Sequence, residues 1–150
     1  MQVMKALDDA LHGRITALSD QGKLLEEQGQ PEATIARWRA AYAVLPTPPQ
    51  QWDAATWLLT AIGDVLFSMG RFDDAREALR QCMHCPDAIG NPFIHLRLGQ
   101  VQFELGNLVR AKDELARAFL IDRDVFSHED PKYEAWILQF LDPPAGQESW

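Results

Sequence analysis

"GDVLFSMGRFDDA" (Gly63–Ala75) and "GQVQFELGNLVRA" (Gly99–Ala111) write one sparse pattern twice, 36 residues apart. Each sets a glycine, a second glycine seven residues on, and an alanine five further. A fainter copy begins at Gly22, with Gly29 and Thr34 in the corresponding places. The apolar residues around the leading glycines recur at helical spacing. Met4, Leu7, Leu11, Ile15, Leu18, Gly22 and Leu25 form one stripe, Leu59, Ile62, Gly63 and Leu66 a second, and His95, Leu98, Gly99 and Gln102 a third. No segment alternates as a strand would. The spacing predicts seven helices, near residues 3–28, 32–45, 50–69, 72–84, 92–105, 108–121 and 131–141.

A glycine inside a helix costs about 1 kcal/mol relative to alanine. Gly22, Gly63 and Gly99 therefore call for a packing reason, and a neighbouring helix crossing too closely for a β-carbon supplies it. Gly29, Gly70 and Gly106 fall where each helix must stop, and glycine enters the left-handed conformation of a C-terminal cap without strain. Thr34, Ala75 and Ala111 put small residues where the returning helix meets its partner. The unit is a helical hairpin, written three times.

This spacing resembles the tetratricopeptide repeat, a helix–turn–helix unit of about 34 residues. Its signature reads here as Leu59, Ile62–Gly63, Leu66, Ala75 and Leu79, with Pro86 near the close. The next copy reads His95, Leu98–Gly99, Gln102, Ala111 and Leu115, without the proline. The first reads Leu18, Gln21–Gly22, Leu25, Thr34 and Trp38, closing on Pro46, and it is the most degenerate. The likeness covers roughly residues 15–123, with enlarged connections at "LPTPPQQW" and "CPDAIGNP". It implies an all-α, right-handed solenoid in a single domain, 1–141, with hairpins over 3–46, 50–86 and 92–123. Asn91–Pro92 opens the third hairpin as N-cap and first helical residue, and Asp130–Pro131 repeats the device. The helix that follows, 131–141, should cap the exposed end of the stack through Trp136, Ile137 and Phe140, leaving 142–150 as a flexible tail.

Little in the chain reads as catalytic or metal-binding. "CMHC" (Cys82–Cys85) closes a helix just before Pro86, where the helix dipole disfavours a thiolate. Cys82 also falls where the other copies carry Ala41 and Ala118, so it reads as a small buried residue. The histidines lack zinc-finger spacing, and no phosphate-binding glycine loop, nucleophile elbow or His-Glu-x-x-His pair occurs. No enzyme activity, cofactor or metal is expected. With 22 acidic against 14 basic residues, the net charge is −8, which argues against a nucleic-acid or anionic-membrane surface and suits a basic partner. The opening residues do not read as a signal peptide, no stretch reaches membrane-span length, and two cysteines make no secreted framework, so a cytoplasmic location is expected.

In tetratricopeptide proteins the first helix of each hairpin lines a concave groove that takes a peptide or protein surface. The matching face here carries Trp57, Thr60, Asp64 and Phe67 on one helix and Phe93, Leu96, Arg97, Gln100 and Phe103 on the next. These are the candidate partner-binding residues, although Phe67 and Phe103 also suit packing between neighbouring helices. The lysine and asparagine clamp that holds a C-terminal carboxylate in chaperone-binding members is not matched, because Asp64 and Gln100 stand where asparagine is expected. Two functions follow from the resemblance. One is an adaptor or assembly factor holding a client peptide. The other is an immunity-type inhibitor of a basic bacterial toxin, such as a nuclease, since the chain looks like small stand-alone bacterial repeat proteins.

Overall fold

The computed structural model describes residues 7–150. Among them are seven α-helices and no strand: α1 (Asp9–Glu27), α2 (Pro31–Ala43), α3 (Asp53–Ser68), α4 (Phe72–Cys82), α5 (Pro92–Glu104), α6 (Leu108–Ile121) and α7 (Pro131–Leu138). Helices α1 and α2, α3 and α4, and α5 and α6 pair as hairpins, which stack in chain order through α2 on α3 and α4 on α5. One continuous core, from Ile15 through Trp38, Ile62 and Leu79 to Val101, runs through the stack.

The three glycine pairs divide their work as their spacing predicts. A β-carbon on Gly22 would sit 2.3 Å from Trp38 Nε1, and one on Gly63 or Gly99 would sit 2.7 Å from Cγ of Leu79 or Leu115. Helices cross at these points with no room for a side chain. Gly29, Gly70 and Gly106 have φ of +72°, +75° and +80°. At the middle turn Gly70 N–H donates to Phe67 O (3.0 Å) and Arg71 N–H to Leu66 O (2.9 Å), and the same two bonds recur at the other turns. These satisfy carbonyls that a helix end leaves orphaned. Thr34, Ala75 and Ala111 are fully buried opposite.

Several helix ends differ from expectation, each for a local reason. Helix α1 starts at Asp9 rather than near residue 3, because Asp8 is extended and its Oδ1 accepts from Leu11 N–H at 2.8 Å. Met4, first in the expected stripe, lies outside the described residues. The helix expected over 50–69 is broken at Trp52. A 3₁₀ turn (Pro49–Gln51) comes first, and the extended Trp52 then buries its indole and donates to Pro46 O at 2.9 Å. Helix α7 stops at Leu138, short of the expected 141, where its last turn tightens: Gln139 N–H donates to Trp136 O (3.3 Å) and Phe140 N–H to Ile137 O (3.0 Å). A 3₁₀ turn at Arg123–Phe126 has no counterpart in the sequence reading; Asp122 holds it through Asp124 N–H and drops Phe126 into the core.

That turn and α7 close the end of the stack. Leu96, Leu115 and Ile137 are fully buried there with Phe126 and Tyr133. Trp136 lies edge-on to Phe103 at 5.1 Å, while Phe140 stays 45% exposed and packs on Trp136. The last residue, Trp150, sits edge-on to Phe119 at 4.9 Å and donates to Leu141 O. Glu104 Oε1 accepts from Tyr133 Oη (2.5 Å) and pairs with Lys132 Nζ (2.8 Å). Burial opposes the Glu104 charge, but the bonds from Lys132 and Tyr133 outweigh it and hold this carboxyl below its usual range. A lowered folded value means a stabilisation present above about pH 4.3, the ordinary glutamate value, and lost as pH falls through the folded one. In urea unfolding, the gap between the natural chain and Glu104→Gln should therefore be wide at neutral pH and shrink in acid. A gap independent of pH would mean that the cap does not draw on this charge.

Candidate functional site

The face formed by α3 and α5 divides into an open upper half and a covered lower half. Trp57 heads the open half, 41% exposed. Its ring stands edge-on to the buried Trp38 at 5.8 Å and lies 4.9 Å from Lys23 Nζ. Beside it opens a cleft of about 320 Å³ lined by Asp53, Thr56, Trp57, Thr60, Asp87 and Ile94. Thr56 Oγ1 donates to Pro86 O at 2.7 Å and so ties α3 to the enlarged 83–91 connection that forms the far wall. Thr60 Oγ1 donates to Thr56 O and lies 3.3 Å from Cys82 Sγ.

One helical turn further, Arg97 organises the middle of the face. Its guanidinium lies between the rings of Phe67 (4.8 Å) and Phe93 (5.0 Å). Nη1 donates to Gln100 Oε1 at 2.6 Å and to Glu129 Oε1, and Gln100 Nε2 donates to the same Glu129 oxygen at 2.8 Å. Nε is 2.9 Å from Asp64 Oδ1, an ion pair in which the N–H is not aimed at the oxygen. Leu96, Gln100 and Phe103 do not line an open surface. Leu96 and Gln100 are fully buried under the C-terminal cap, and Phe103 packs against Tyr133 and Trp136.

Of the nine sequence candidates, the structure gathers Trp57, Thr60, Asp64, Phe67 and Phe93 on the partly open face, with Arg97 buried between Phe67 and Phe93. Asp53, Thr56 and Asp87 join the cleft and Glu129 joins the Arg97 network without having been singled out. Asp53 and Thr56 lie one turn before Trp57 and Thr60, so helical spacing alone points to them. Glu129 reaches Arg97 across 32 residues, and no local pattern signals that.

Cys82, Ala41 and Ala118 are all fully buried, as equivalent repeat positions. Burial pushes the Cys82 thiol up against the Thr60 hydrogen bond, and burial with Cys82 nearby pushes Cys85 up to about 11. Both are protonated at neutral pH, where nucleophilic chemistry needs the thiolate. Iodoacetamide at pH 7.5 should therefore modify neither cysteine appreciably until the chain is unfolded, as read by mass spectrometry; rapid modification of native protein would contradict this. Among the described residues no three His, Cys, Asp or Glu side chains converge as metal ligands, and no helix is long and apolar enough to cross a membrane.

A tetratricopeptide-repeat family model matches residues 58–83, from mid-α3 to the end of α4. No curated protein matches the sequence. Among solved structures, the first TPR of Spaghetti (RPAP3) bound to the HSP90 peptide SRMEEVD is 16% identical, covers 83% of this chain and 94% of that one, and superposes with a TM-score of 0.66. The second TPR of Spaghetti, bound to the same peptide, gives 17%, 77%, 100% and 0.63. The second TPR domain of human RPAP3, in complex with the HSP70 peptide SGPTIEEVD, gives 14%, 89%, 99% and 0.66. At these identities the likeness is one of fold: the chain is a helical solenoid of tetratricopeptide-repeat type.

Proposed function

We propose that this solenoid is a non-enzymatic protein-binding module, an adaptor or assembly factor working in the cytoplasm, which holds a segment of a partner protein along α3 and the start of α5. The observation that carries the reading is Trp57, a large aromatic left 41% exposed at the lip of a 320 Å³ cleft while the same face lower down is closed by the chain's own cap. Exposed aromatics beside a preformed cleft dominate protein recognition. The structural neighbours named above hold the peptides SRMEEVD and SGPTIEEVD, both rich in carboxylates. This groove suits the opposite charge. Arg97 already faces the carboxylates of Asp64 and Glu129, and Asp53 and Asp87 rim the cleft. A segment that inserts an apolar side chain beside Trp57 and carries lysine or arginine next to it fits best. The toxin-neutralising alternative shares the preference for a basic partner but has no structural observation of its own.

A displayed library of random peptides, selected on the immobilised chain, would supply the ligand for titration. Selected sequences should be rich in apolar residues flanked by basic ones, and Trp57→Ala should weaken them about thirtyfold, the effect of losing about 2 kcal/mol at a hot-spot aromatic. Association should slow as salt is raised. Unchanged affinity in a folded Trp57→Ala chain would move the site elsewhere.

A further inference from the structure

Gln102 lies two residues from Gln100, about 200° around α5, and faces the other side of the stack. There Arg76 and Arg80 of α4 and Arg110 of α6 enclose, with Gln102 and Asn107, a cavity of about 270 Å³. No carboxylate lines it. Arg76 meets Asp73 at 3.3 Å, and neither Arg80 nor Arg110 forms an ion pair among the described residues. The acids of the adjoining wider cleft are already engaged, Asp113 with Arg117 and Glu114 with His95. In a chain of net charge −8, Arg80 and Arg110 share one cavity without a carboxylate partner, and Arg76 joins them with Asp73 alone beside it.

Gln102 makes the cavity harder to dismiss. It is 2% exposed, in the repeat position that hairpin two fills with the fully buried Leu66. Its Oε1 accepts from Asn107 Nδ2 at 2.8 Å, and its Nε2, which has no acceptor among the described residues, opens on the cavity and its solvent. The sister repeat packs leucine here, so the amide sets an N–H donor where an apolar side chain would otherwise stand. Asn107 is the N-cap of α6, yet its side chain makes no capping bond, so no side chain covers the opening turn of that helix. Three guanidinium groups and two side-chain amides line the cavity.

We propose that this cavity binds a single phosphoryl group, the dianion of a phosphate monoester. Arginine forks match its oxygens, Gln102 Nε2 offers a neutral donor at the floor, and the positive end of the α6 dipole borders the site. The net charge of −8 limits the ligand. An extended polyanion would bring further phosphates against an acidic surface, whereas a single phosphoryl group does not. This site is separate from the α3–α5 groove and stands whether or not the groove binds peptide.

The test is calorimetric titration of the full chain with inorganic phosphate, glycerol 3-phosphate and a phosphoserine peptide. Saturable binding is expected, weakened at least about tenfold by Arg80→Gln and by Arg110→Gln, since each removes a charge-assisted hydrogen bond. Gln102→Leu, which restores the residue of the sister repeat and removes the amide donor, should weaken binding while the chain stays folded. Arg39→Gln, an exposed change on α2, should alter neither. Tighter binding of glycerol 3-phosphate than of the peptide assigns the site to a small ester, and the reverse order assigns it to a phosphorylated side chain. Absence of saturation with all of these probes, or binding that Arg80→Gln and Arg110→Gln leave intact, overturns the proposal.

Discussion

Arg97→Met should destabilise the chain by about 3 kcal/mol or more, the usual cost of breaking a buried ion pair from one side. Arg97 is 7% exposed, and its loss leaves Glu129 and Gln100 without their shared donor and Phe67 and Phe93 without the cation between them. Asp64, the other carboxylate, has a side chain 44% exposed and receives no directed hydrogen bond from Nε. Water can solvate it, so Asp64→Ala should cost less than about 1 kcal/mol. The double variant Arg97→Met with Glu129→Met should recover much of the single-variant loss, because apolar side chains of similar volume often replace a buried ion pair without net cost. Urea unfolding of the two singles and the double closes a mutant cycle. If Arg97→Met and Asp64→Ala cost the same, the guanidinium is effectively solvated and the cap does not depend on it.

This network also marks where the sequence stops being informative. The hairpins are legible because their determinants are local: Gly63, Gly70 and Ala75 lie within thirteen residues and recur as Gly99, Gly106 and Ala111. Aromatic positions on α3 are legible too, since helical period places Trp57, Thr60, Asp64 and Phe67 on one face whatever lies opposite. What covers that face is not. Leu96 and Gln100 occupy the same period on α5, yet Phe126, Tyr133 and Glu129 close over them from a segment some thirty residues away. The 3₁₀ turn that delivers Phe126 depends on the Asp122 side chain bonding Asp124 N–H, a motif too short to stand out from ordinary loop composition. Likewise Gln102 reads as a weak copy of a leucine until its neighbours from α4 and α6 are known. Local rules broken at a buried position tend to mark function.

Gly22→Ala should cost about 2–3 kcal/mol, against a smaller loss at Gly99→Ala and the smallest at Gly63→Ala. Alanine gains about 1 kcal/mol of helix propensity at each site, so the ordering reflects what the new methyl meets. At Gly22 it falls 2.3, 2.6 and 2.9 Å from three atoms of the Trp38 indole. That ring is rigid, 2% exposed, and anchored by its Nε1 donating to Ser19 O at 3.2 Å, so overpacking has no soft direction to relax along. At Gly99 the methyl meets Leu115 side-chain atoms and also its backbone nitrogen at 3.0 Å, which shifts only with α6. At Gly63 the three nearest atoms all belong to the Leu79 side chain, which can rotate. Thermal unfolding of the three single variants tests the order, and equal losses would mean that whole helices slide apart rather than side chains yielding. Gly22→Ala carries a functional consequence that the others lack. Trp57 rests edge-on against Trp38, so an indole pushed out at the α1–α2 crossing removes the support beneath the exposed ring. Peptide affinity should therefore fall in Gly22→Ala at temperatures where the chain is still folded, and remain near the natural value in Gly63→Ala. Equal affinities in the two variants would show that Trp57 holds its orientation without Trp38.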